Sequence, residues 1–250
     1  MKNIFDIYEG IFDKGNRQNV GKSLSQKVLT EDFFKNLKYV GDLKINEDGI
    51  VSYRSVIIND ENFEGFPDYI KFENDTRFGA QLIIKNSKKL KEASHFPAAK
   101  RLVFQFCENF TRFSKDFDSY AEEVCITECP KFETLEGMPS VNYLELEYTP
   151  NIKNLKGINN CYLSFAARET GLQSLDGIEN TYVQTVLLSA NRQLTDISML
   201  PKSVTRLLIR GSRQFMDVNE LIKHCPNVDF NKAHLELNGR TVKVPKYKYK

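Results

Sequence analysis

The 250-residue chain sets 35 Lys and Arg against 33 Asp and Glu, a formal net charge of +2, and 41% of its residues are hydrophobic. This is the make-up of an ordinary globular chain, and the balance leaves no basic footprint, so no nucleic-acid partner is expected. No apolar run nears the ~18 residues of a membrane-spanning helix, so no membrane association is expected either.

The first segment, residues 1–22, opens "MKNIFDIYEGIFDKG". Ile4, Ile7, Tyr8 and Ile11 share one face of a helix, with Asp6, Glu9 and Asp13 largely elsewhere. Gly10 costs such a helix about 1 kcal/mol, and one this short needs a surface to lie on. It either docks on its own domain as a cap or serves as a detachable peptide for a partner, joined through the polar "KGNRQNVGKS". "GNRQNVGKS" is not a phosphate loop: five residues, not four, separate Gly15 from Gly21, and no buried strand precedes it. It reads as a solvated linker.

Residues 23–55 read as an N-terminal cap. "TEDFFKNLKYV" is expected to form a short helix with Thr30 as N-cap and acidic residues in its first turn. "GDLKINEDGIVSYRS" follows as a hairpin, with strands near 43–45 and 50–54 around Asp48-Gly49.

From residue 56 to 230 the chain repeats itself. With Leu144 as a strand anchor, apolar residues fall at +2 (Leu146), +8 (Ile152) and +11 (Leu155). The pattern also fits Leu82, Leu102, Val124, Val186 and Leu207 as anchors. It fits Leu163/Phe165/Leu172/Leu175 with one residue inserted, and Val56/Ile58/Phe63/Phe66 with one deleted. A period near 21 residues with a two-residue alternation describes short strands, each followed by a turn back over the core. One such coil cannot cover its own apolar edge, so the stable object is a stacked solenoid with a parallel sheet along one side. Gly137, Gly157 and Gly177 follow the +11 residue, where positive φ suits the turn into the next coil.

The C-terminal end closes with "DVNELIKHCP", a helix begun by Asp217 and stopped before Pro226. Residues 231–250 supply a hairpin on Asn238-Gly239 and a short basic tail, "VPKYKYK", read as a frayed terminus.

This pattern, with the cadence of "LEGMPSVNYLEL", resembles the leucine-rich repeat family, in a short form of the kind found in tailed-phage and bacterial proteins. The resemblance implies an α/β, β-rich solenoid with its parallel sheet on the concave side and short helix and hairpin caps at both ends. It also implies an Asn at the turn after each strand. In this chain the +5 position holds Ser87, Cys107, Cys129, Thr149, Asn191 and Ser212, so only Asn191 is the family residue.

Residues flanking the anchors point out across the sheet. Among them Tyr143, Glu145, Glu147, Tyr162, Leu187, Arg206, Leu208 and Arg210 combine aromatic, charged and apolar groups, which suits a protein partner. Ile83 and Val103 are expected to be exposed with them. The five cysteines read as free thiols in a reducing, cytoplasmic compartment. Cys125 with Cys129, and His224 beside Cys225, lack zinc-site spacing, so no metal or cofactor is expected. With no paired nucleophile and base, the chain reads as a binding protein rather than an enzyme. The alternative is a phage virion structural or packaged protein anchored by residues 1–14.

Overall fold

The computed structural model describes residues 25–73, 80–115, 117, 120–215 and 217–244. The amphipathic segment with Ile4, Ile7, Tyr8 and Ile11, the linker up to residue 24, and residues 245–250 of the tail lie outside the described residues.

The first described element is helix α1 (Gln26–Lys35). Its cap is Ser25, not Thr30: Ser25 is extended, with φ −61° and ψ 150°, and its Oγ accepts from Val28 N at 3.4 Å. Thr30 lies inside the helix, buried against the hairpin turn, with its hydroxyl 2.9 Å from Gln26 O and 3.2 Å from Gly49 O. A free extended residue upstream and a buried partner for the threonine together move the start of the helix back.

Strands β1 (Tyr39–Ile45) and β2 (Ile50–Asn59) form the expected antiparallel hairpin, longer than the sequence suggested. β2 also pairs in parallel with the short β3 (Lys71–Phe72) and with β4 (Gln81–Lys85). The cap hairpin and the first coil therefore share a strand, and the sheet runs unbroken across residues 55 and 56. Beyond it lie β6 (Ala99–Gln105), β8 (Ala121–Thr127), β9 (Val141–Glu147), β10 (Cys161–Arg168), β11 (Thr185–Ser189) and β12 (Arg206–Arg210), each parallel to the one before. β13 (His234–Leu237) continues the parallel order, and β14 (Arg240–Val242) turns back antiparallel across Asn238 and Gly239, both at positive φ. β5 (Glu92–Ala93) and β7 (Arg112–Phe113) pair on the return side. Among the described residues, the result is a strand-rich parallel solenoid with a twelve-stranded sheet and few helices. The second helix, α2 (Val218–Lys223), starts as expected at Asp217, which accepts from Asn219 N and Glu220 N at 2.9 and 3.1 Å. Among the described residues, no helix is long and apolar enough to cross a membrane.

The repeat positions are the core. The +8 and +11 residues Phe110, Phe113, Phe132, Leu135, Ile152, Leu155, Leu194 and Ile197 are all fully buried. Phenylalanines pass from coil to coil: Phe104 stacks on Phe110 at 4.3 Å, and Phe110 on Phe132 at 5.4 Å. Each such ring contributes about 1.5–3 kcal/mol by burial alone. The turn glycines Gly137, Gly157 and Gly177 have φ of 78°, 87° and 109°.

One anchor differs from the expectation. Phe165 and Ala167, not Leu163 and Phe165, align with Leu144 and Leu146 in the buried columns. Cys161 pairs with Val141 and Ser164 with Tyr143, so two residues, Tyr162 and Leu163, oppose Asn142 alone. This bulge throws Leu163 outward, 37% exposed, and places the inserted residue within the first half of the strand rather than after it.

Candidate functional site

Each parallel strand turns alternate residues away from the core, and the straight register lines these up in columns across the sheet. One column runs Gln81, Arg101, Glu123, Tyr143, Ser164, Thr185, Arg206. The middle column runs Ile83, Val103, Cys125, Glu145, Ala166, Leu187, Leu208, and the third runs Lys85, Gln105, Thr127, Glu147, Arg168, Ser189, Arg210.

Tyr143, Glu145, Arg206 and Arg210 are exposed on this face, while Glu147 and Leu187 are half-buried. Leu208 and Val103 are not the exposed apolar residues expected from the sequence: they are 5% and 8% exposed. A middle-column side chain has neighbours on four sides, and Leu208 sits between the long side chains of Arg206 and Arg210 on its own strand. Ile83 is half-buried for the same geometric reason.

Tyr162 leaves the column of Tyr143, because the bulge gives that place to Ser164. Its ring instead lies parallel to that of Tyr182, 6.1 Å away with an interplanar angle of 2°. Tyr182 is 64% exposed, and Tyr120 is also exposed beside its strand's start. Sequence reasoning missed both because they precede the strands, outside the repeat positions. Arg168 was missed for a related reason: the shifted anchor puts it beside Glu147, 2.9 Å away, where Ala166 was expected.

Charge on the face is organised in pairs. Arg101 Nε is 2.9 Å from Glu123 Oε1, and Arg210 Nη2 is 2.8 Å from Glu236 Oε1. Cys125 lies between Glu123 and Glu145, its Sγ 3.4 and 3.6 Å from their carboxylate oxygens. Burial, reinforced by those two carboxylates, pushes the thiol up to about 12. A thiol that stays protonated is a poor nucleophile, so the cluster orders charges rather than offering a reactive group. All five cysteines are free and buried, and Cys107 and Cys129 occupy the +5 position as small residues of the turn. Among the described residues, no group of three or more His, Cys, Asp or Glu is placed to hold a metal ion.

Fold and face together define a class: a parallel β-solenoid that carries a mixed aromatic and charged sheet surface. Comparison of the chain with protein-family models, with curated proteins and with solved structures gave no match.

Proposed function

We propose that the protein is a non-enzymatic interaction module of leucine-rich-repeat type that binds a protein partner through the open face of its sheet. The observation that carries this reading is the exposure of Tyr143, Tyr162 and Tyr182 on or beside a face that also displays Glu145, Arg206 and Arg210. Tyrosine and arginine are the side chains that most often anchor interfaces, because each combines a large contact area with a polar end. The family assignment is supported by the repeat period and by Asn191, which bonds the turn of the adjoining coil as an asparagine ladder requires.

The test is affinity capture from the cells that encode the protein. The bait is compared with Tyr143→Ala/Arg206→Glu on the sheet face and with Lys153→Glu on the return side. Retention of one defined protein by wild type and Lys153→Glu, with at least a 10-fold loss for the face variant, is the expected result. Equal retention by all three sinks the proposal.

A further inference from the structure

Four residues after each anchor, where the strand ends, the chain adopts a left-handed conformation in coil after coil. Asn86, Phe106, Glu128, Tyr148, Glu169 and Ala190 have φ between 49° and 56°. Their backbone N–H groups donate to the next coil: Phe106 N to Thr127 O at 3.1 Å, Glu128 N to Glu147 O at 2.9 Å and Tyr148 N to Arg168 O at 3.0 Å. The peptide groups are thus consumed by the stack, and the side chains are set out in a row one coil apart. A second row, two residues further on, contains Glu108, Pro130 and Pro150. Between the rows lies a groove of about 750 Å³.

Its walls are the Phe106 and Tyr148 rings and the two prolines, and its carboxylates are Glu108, Glu128 and Glu169. Among the described residues, Glu108 and Glu128 have no ion-pair partner. Glu169 pairs with Arg168 at 3.8 Å and accepts a hydrogen bond from the Tyr148 hydroxyl, and the Arg168 guanidinium lies over the Tyr148 ring at 5.7 Å from its centre. Lys88, at the other end, faces Glu61 at 3.3 Å. The groove is therefore acidic with apolar walls.

From Asn86 to Glu169 the groove crosses four strand spacings, roughly 19 Å at ~4.8 Å each, the length of about six extended residues. Glu128 and Glu169 stand two spacings apart, about 10 Å, which matches residues three apart on a polyproline II chain, where they share one face at ~3.1 Å per residue. We propose that this groove binds a basic segment of a partner polypeptide in the polyproline II conformation, with two lysines or arginines three residues apart over Glu128 and Glu169. Proline or aromatic residues between them lie on Phe106, Tyr148 and the two prolines. A small cation or polyamine would leave those walls uncovered, and the length of the groove fits a peptide. This site is separate from the sheet face and stands without the reading given above.

The experiment is fluorescence anisotropy of the full chain with a fluorescein-labelled peptide, Gly-Lys-Pro-Tyr-Lys-Gly. Saturable binding is expected, weakened at least about 10-fold by Glu128→Lys/Glu169→Lys and by a peptide with both lysines replaced by glutamate. Both glutamates are exposed, so the variant keeps the fold, which circular dichroism confirms. Tyr143→Ala/Arg206→Glu is expected to leave peptide binding unchanged, which separates this site from the sheet face. Absence of saturable binding up to millimolar peptide overturns the proposal, and so does binding indifferent to both charge reversals.

Discussion

The buried Asn191 Oδ1 accepts from both the backbone N–H and the hydroxyl of Thr170, at 3.0 and 2.8 Å. Its Nδ2 donates to Ala167 O at 2.9 Å. One side chain thereby satisfies three polar groups of the neighbouring coil. Asn191→Leu strips those groups of this partner, leaving the Thr170 hydroxyl only its bond from Leu172 N, at a cost of about 2–4 kcal/mol. Urea unfolding followed by circular dichroism measures the loss, and a change below about 1 kcal/mol would contradict this role.

Thr149 holds the same +5 position two coils earlier, but its Oγ1 is buried with no hydrogen-bond partner among the described residues. Thr149→Val removes an unsatisfied hydroxyl at constant shape. It is expected to be neutral or to stabilise by up to about 1 kcal/mol in the same unfolding assay. A large destabilisation would show that the hydroxyl has a partner after all.

Two glycines separate strain from crowding. At Gly137, φ is 78° and a Cβ would collide with Ser114 O; at Gly239, φ is 79° and, among the described residues beyond its chain neighbours, nothing lies within 4 Å of an added Cβ. Gly239→Ala is therefore expected to cost about 1 kcal/mol, the conformational term alone. Gly137→Ala must also displace backbone, and its expected cost is about 3 kcal/mol or more. Thermal denaturation of the pair decides whether the close approach of coils matters.

Stability should fall in alkaline solution. Burial pushes Cys161 and Cys225 up to about 12 from an ordinary 9.0, as burial and carboxylates do for Cys125. Above pH 9 the unfolded chain loses these protons while the folded chain keeps them, so each thiol's contribution is full below that pH and fades as pH rises toward 12. The expected loss is about 1 kcal/mol per thiol by pH 10. Cys225→Ala lowers stability at every pH but makes its decline between pH 8 and 10 shallower. An unchanged slope would exclude this thiol as a source.

The stacking was legible in the sequence because it rests on apolar periodicity and on glycine where positive φ is needed, as at Gly137, Gly157 and Gly177. The anchor of β10 was not, because Leu163 and Phe165 both look like core residues and Ala167 does not. Only the paired register shows that Cys161 takes the buried place and that Leu163 is expelled. On the sheet face, exposure of Tyr143 and Arg206 followed from alternation, whereas the burial of Leu208 depends on the length of its neighbours. The left-handed row was hidden for a chemical reason. Phe106, Glu128, Tyr148 and Glu169 are not residue types that choose that conformation; only Asn86 and Gly211 advertise it. The stack imposes it on the others through the hydrogen bonds between coils.

Among the described residues, the two hairpins also bound the stack. A parallel solenoid is in principle extensible, since its last strand offers the same unfilled row of donors and acceptors as every strand before it. Among the described residues, the sheet ends on β1 and β14, and both run against the parallel direction. β1 is kinked by an irregularity between Gly41 and Leu43, and β14 carries Arg240 with Lys243 just beyond it. A second molecule arriving end to end meets a reversed, bent or charged strand instead of a template. Within the described residues the sheet thus ends on strands unlike those it repeats, which disfavours end-to-end growth by strand pairing.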